Sequence, residues 1–208
     1  MTEAQSAPAF ETSNVTPAVV VIRFINSAER NPLSTSTLTN LSASLSEVLG
    51  RPDVETIIFT GVDDVFLSGA NIRELAQLDT TSAKEFALSG QRIMQSIANA
   101  RQRTIAAING YCMGGGLDLA LACDIRVASK YAKFAHPGAR LGIITGWGGT
   151  QRLPRIIGKA RAIEFFATAR RLSADDAFSF GLVHALADPI MDHALQIALN
   201  STAASNRS

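Results

Sequence analysis

The chain has 208 residues, 47% of them hydrophobic and 18% charged, with 19 Lys and Arg against 18 Asp and Glu. The near-zero balance excludes nucleic-acid binding driven by bulk charge and an acidic solvating tail, and the hydrophobic content excludes global disorder. The length suits one well-buried domain, and no apolar run is long enough to span a bilayer, so no membrane partner is expected. Cys112 and Cys123 lie in apolar runs and read as buried free thiols of a reducing compartment.

Residues 1–16 are small and polar, without a basic cluster or apolar core, and read as a flexible N-terminal arm rather than a targeting peptide. Residues 19–25 form a β-branched run and are expected as a strand. Residues 36–49 place Leu38, Leu41, Leu45, Val48 and Leu49 at helical spacing before Gly50. A second strand is expected over 54–60, helices over 71–79 and 81–100, a third strand over 104–109, a helix over 114–122, and a fourth strand over 124–128. From Gly148 onward the pattern is mostly helical, with breaks expected at Pro154, Gly158 and Gly181 and a short edge strand over 182–186. Residues 17–200 read as a single domain and 201–208 as a frayed tail. Strands alternating with helices indicate an α/β fold with a largely parallel sheet.

Two glycine-containing segments follow strands and open helices. The first runs Phe66-Leu67-Ser68-Gly69-Ala70-Asn71-Ile72-Arg73-Glu74-Leu75, and the second Asn109-Gly110-Tyr111-Cys112-Met113-Gly114-Gly115-Gly116-Leu117-Asp118. Such junctions present free backbone N–H groups backed by a helix dipole, and glycine lets a ligand come close. Two convergent amides make an oxyanion hole. A tight turn with close helix–sheet packing is the competing reading of the second segment. Neither segment carries a nucleotide-phosphate fingerprint, and no GxSxG serine is present.

These segments, with LGIITGWGGTQRLPRIIGKARAIEF further on, resemble the signature of the crotonase (enoyl-CoA hydratase/isomerase) superfamily over residues 19–186. The resemblance implies a spiral of ββα repeats with a mostly helical, shortened C-terminal region. It also implies an acyl-CoA thioester as partner, its enolate held by the amides of Ala70 and Gly115. Gly69, Gly114 and residues 70–73, including Asn71, Ile72 and Arg73, would line the coenzyme A site. Arg73 and Arg30 are candidates for the nucleotide phosphates, with solvated surface charge as their alternative. No metal is expected, since His184 and His193 lack partners at ligand spacing, and no cofactor beyond the coenzyme A carried by the substrate.

The family's hydratases use two glutamates. The first position is Asp118, three residues after Gly115, so its side chain leans back toward the hole. The dipole favours a negative charge there, which suits a base, although complementing the dipole is an alternative role. The second position is Gly138, which has no side chain to move a proton. His136 and Arg140 flank it and either could substitute, but His136 reads as a turn residue before Pro137, facing away from the pocket. Thr145 has a hydroxyl that could hold a water. Trp147 stands where the family usually has a small residue. Its indole either narrows the acyl pocket, stacks on an aromatic acyl group, or fills the space of the absent glutamate. Asp124 reads as structural, bonding local backbone or pairing with Arg126.

One carboxylate suits double-bond isomerisation or a variant hydratase step better than ordinary hydration. The alternatives are a catalytically silent acyl-CoA-binding protein or subunit, and a thioester hydrolase or decarboxylase on the same fold. The resemblance further implies a homotrimer or homohexamer in the cytoplasm. With the short C-terminus, the adenine side is expected either to be open or to be covered by a neighbouring subunit.

Overall fold

The computed structural model describes residues 8–205, with side chains as far as Asn200. Residues 1–7 of the expected arm and 206–208 of the expected tail lie outside the described residues. The chain begins with β1 (Phe10–Thr16) and β2 (Val19–Phe24). There follow β3 (Pro32–Leu33), α1 (Thr35–Gly50), β4 (Thr56–Thr60), β5 (Val65–Leu67), β6 (Gly69–Ala70), α2 (Ile72–Leu75) and α3 (Thr80–Ala98). Next come β7 (Arg103–Ile108), β8 (Tyr111–Met113), α4 (Gly115–Ala122), β9 (Ile125–Ala128), β10 (Lys133–Ala135) and α5 (Gly138–Leu141). The chain closes with α6 (Gly149–Ile157), α7 (Lys159–Thr168), β11 (Leu172–Ser173), α8 (Ala174–Ser179), β12 (Ala185–Leu186) and α9 (Ile190–Ser205).

The expected spiral is present. The main sheet runs β1-β2-β4-β7-β9-β12, parallel from β2 onward. The second strand of successive turns leaves it: β3 pairs with β6, while β5, β8 and β10 join β11 in a smaller sheet. One turn is therefore a main-sheet strand, a short second-layer strand and a helix, as in β7-β8-α4. Among the described residues no helix is long and apolar enough to cross a membrane.

Alternation along the strands sorts the side chains onto two faces. Ile57 and Phe59 of β4, with Ala106 and Ile108 of β7, enter the main core with Leu41 and Leu45 of α1 and Ile93 and Ile97 of α3. Ile58, Ile105 and Ala107 point the other way and are covered by Ala194 and Ala198 of α9. Burial on both faces explains why these strands read as unbroken apolar runs. Helices α1 and α3 start on side-chain caps: Ser34 accepts from the Thr37 amide, and Asp79 and Ser82 form a reciprocal capping box at α3.

Three expectations are corrected. Residues 10–16 are a strand, not a flexible arm, and pair antiparallel with β2, with Phe10 opposite Phe24. The strand is mostly exposed, so its stability comes from main-chain hydrogen bonds that leave no apolar pattern. Pro154 does not break α6. It forfeits one donor, while its carbonyl still accepts from the Gly158 amide at 3.1 Å. The tail is helical as far as Ser205. The other expected breaks, at Gly158 and Gly181, are real and carry φ of 87° and 74°.

Cys112 and Cys123 are free and buried. Asp124 is structural, but its partner is Thr104, whose amide and hydroxyl both donate to Oδ2 at 2.8 Å. Arg126 instead donates to the carbonyls of Cys123 (2.6 Å) and Leu182 (2.8 Å), closing the C-terminal end of α4.

Candidate active site

Two strand-to-helix junctions of adjacent turns meet at the start of α4. Gly69 has φ 96°, and a Cβ built there would lie 2.8 Å from both the Gly115 nitrogen and the Met113 carbonyl. Only glycine permits this backbone and this approach. The segment carrying Ala70 is thereby pressed against the one carrying Gly115. Gly114, with φ 51°, turns the chain into α4, and its amide donates to the Ala135 carbonyl at 2.9 Å. Gly115 is the first residue of α4, where amides have no partner within the helix. Gly116 lets α4 sit on β5, since a Cβ there would meet Leu67 at 2.5 Å. Close helix–sheet packing and an open helix start thus coexist in one glycine run.

Asp118 projects from the first turn of α4 and is 1% exposed. Its Oδ2 accepts a hydrogen bond from the Thr145 hydroxyl. Its Oδ1 lies 3.1 Å from Nε2 of His136. The approach is off the line of a good hydrogen bond, and neither of these two buried atoms has another protein partner. His136 is therefore not a turn residue facing away. β10 and Pro137 deliver its ring inward, 3% exposed, and Phe166 of α7 packs on it at 5.3 Å between centroids. Gly149 at the start of α6 makes the room: a Cβ there would lie 2.2 Å from Asp118 Oδ1 and 3.1 Å from His136 Nε2. The Asp118 charge is felt nearby. Burial lowers the pKa of the Arg152 guanidinium, and Asp118 partly opposes that fall.

A cavity of about 260 Å³ opens over this cluster. Ala70, Gly114, Gly115, Asp118, His136, Gly138 and Trp147 all border it, and Ile72, 59% exposed, stands at its edge. Gly69 supports the cavity from behind without lining it. Three further predicted binding residues do not reach it. Asn71 caps α2, accepting from the Arg73 amide at 3.0 Å. The Arg73 side chain is exposed. Arg30 lies over the Tyr111 ring, 5.4 Å from its centroid, and 3.8 Å from Asp64. Arg140 is exposed on α5.

The space expected at Gly138 is occupied. The Ile143 amide donates to the Gly138 carbonyl at 3.0 Å, and a Cβ on Gly138 would lie 2.5 Å from the Ile143 oxygen. The folded-back loop, not Trp147, takes the place of a second carboxylate. The indole lies instead between α3 and α4 against Phe86, at 5.3 Å between ring centroids. Sequence reasoning kept His136 as a possible substitute but favoured a turn residue facing away, and it missed Gly149 and Gly90 as the glycines that make room. No periodicity reports the inward direction of one side chain at a strand end.

A model of the enoyl-CoA hydratase/isomerase family matches residues 14–206. The chain belongs to that family. The crotonyl-CoA hydratase of Syntrophomonas wolfei is 41% identical over 160 residues, which are 76% of this chain and 62% of that protein. The short-chain-enoyl-CoA hydratase of Clostridium acetobutylicum is 34% identical over 183 residues, 86% of this chain and 70% of the relative. This chain thus spans less than two thirds of the first relative's length. The crystal structure of an enoyl-CoA hydratase from Bacillus anthracis matches with a TM-score of 0.88 at 34% identity, covering 92% of this chain and 76% of that one. Pseudomonas aeruginosa DspI matches with the same TM-score at 30% identity. The superfamily and the spiral fold expected from the motifs are those of these proteins.

Proposed function

We propose that this family member binds an acyl-CoA thioester with its carbonyl oxygen toward the amides of Ala70 and Gly115, and that Asp118 moves the proton in an enoyl-CoA isomerisation. In the conversion of a 3-enoyl to a 2-enoyl thioester, the C2–H bond breaks and the proton passes to the Asp118 carboxylate. The electron pair delocalises onto the thioester oxygen, where two amides hold the enolate. The proton then returns at C4 and the double bond lies between C2 and C3. One carboxylate performs both transfers, so neither a second one nor a cofactor of the protein's own is required.

The observation that carries this reading is the Gly138 backbone, closed over by Ile143 and unable to present a proton carrier. Asp118 meanwhile borders the same cavity as Ala70 and Gly115. The contact between His136 and Asp118 favours a second reading, a variant hydratase in which the imidazole supplies the other proton-bearing group. Assembly is proposed to be a trimer or hexamer, read by light scattering.

The test follows 3-enoyl-CoA and 2-enoyl-CoA with wild type, Asp118→Asn and His136→Gln. Isomerisation that falls by about 10²–10⁴ in Asp118→Asn supports the reading. Water addition to the 2-enoyl thioester that is lost in His136→Gln favours the variant hydratase. Tight binding with no turnover of either thioester refutes both and leaves a silent binding protein. Release of free coenzyme A or CO2 would point to hydrolysis or decarboxylation.

A further inference from the structure

Double-bond migration does not explain why a tryptophan borders the cavity. Ala83, Phe86 and Ala87 of α3 line its wall, yet Gly90, one turn further along the same helix, does not reach it. The Trp147 indole stands in between. A Cβ on Gly90 would lie 2.2 Å from Trp147 Nε1, and a Cβ on Gly115 would lie 2.2 Å from Cζ3. The ring therefore bridges α3 and α4 in a slot with a glycine at each end, and is 5% exposed. Its backbone is held on both sides. Gln91 donates to the Gly146 carbonyl at 2.8 Å, and Arg152 Nη1 donates to the Trp147 carbonyl at 3.0 Å.

We infer that Trp147 is the end wall of the acyl subsite and confines this site to short-chain acyl groups. The inference rests on the acyl-CoA reading above and adds the substrate class. The cavity of about 260 Å³ must take the thioester as well as the acyl chain. It is smaller than the roughly 300–1,000 Å³ of pockets that hold drug-sized ligands. Gly90 lies behind the indole and Gly115 on its cavity side, and neither has a side chain to fill the slot when the ring is removed. Truncation therefore lengthens the cavity between α3 and α4 instead of collapsing it.

The experiment measures binding of saturated straight-chain acyl-CoAs, from butanoyl to dodecanoyl, by calorimetry to wild type, Trp147→Phe and Trp147→Ala. Non-reacting ligands separate the subsite from the chemistry. Wild type is expected to bind butanoyl-CoA better than decanoyl-CoA. In Trp147→Ala each added methylene that enters the slot gains about fourfold in affinity, from about 0.8 kcal/mol per buried CH2. The octanoyl-to-butanoyl affinity ratio then rises at least tenfold. Trp147→Phe keeps a ring against Phe86, shifts the ratio less and in the same direction, and decides the matter if the alanine variant does not fold. Butanoyl-CoA binding with a chain-length order unchanged in the folded variants overturns the role of Trp147 and leaves the acyl-CoA reading standing. No binding of any thioester overturns both.

Discussion

The contact between Asp118 and His136 makes a quantitative demand on stability. Asp118 is 1% exposed, and its two polar neighbours are the Thr145 hydroxyl and the His136 ring nitrogen. His136→Leu removes one of them, while leucine preserves apolar contact with Phe165 and Phe166. Leaving a buried polar group without its partner costs about 1–3 kcal/mol. Thr145 still donates to the other oxygen, so about 2 kcal/mol is expected. At about 2–4 °C per kcal/mol for a chain of this size, Tm falls by about 4–8 °C. Asp118→Ala leaves the His136 ring and the Thr145 hydroxyl without that carboxylate, for about 1–3 kcal/mol. The double variant strands neither member of the pair, so its loss should be smaller than the sum by about 2 kcal/mol. Urea unfolding of all four proteins at one pH, with unchanged m-values, reads the cycle. Effects that add within about 0.5 kcal/mol would mean that the two groups do not interact, and would refute the paired site.

Gly138→Glu should not create a hydratase: its Cβ meets the Ile143 oxygen at 2.5 Å, so a loss of about 1–3 kcal/mol without new water addition is expected, and a stable variant that gains hydration would refute the closed loop. Desolvation pushes the thiols of Cys112 and Cys123 up, so neither should react with a disulfide reagent at pH 8 until the protein unfolds, and rapid native labelling would contradict their burial. Hydrogen bonds from Ser173 hold the Asp176 carboxyl below its ordinary 3.8. A depressed folded value means that its stabilisation is present above that ordinary pKa and is lost as pH falls through the folded one. Acid titration of Asp176→Asn should show a shallower loss of stability over that window, and an identical curve would remove the cap from the account.

The sequence alone determined the class of fold and marked the two junctions that border the cavity. The buried strands read as apolar runs because both faces of the main sheet are covered. The helix at 36–49 showed its apolar stripe, and two glycine-bearing junctions marked where backbone approaches backbone. Position 138 announced its missing carboxylate by residue type. What the sequence left undecided were features set by long-range pairing or by one side chain's direction. The second-layer strands β5, β8 and β10 have three residues each, too few to show alternation, so the ββα repeat could be inferred only from the family's motifs. Strand β1 is exposed and polar, and is held by main-chain bonds to β2 that no composition reports. His136 turns inward only because α6 brings Gly149, without a side chain, against Asp118. Trp147 finds its slot only because Gly90 and Gly115, distant along the chain, face one another across two helices. Local periodicity records what a segment buries, whereas the partner it buries against is chosen by the packing of the whole chain.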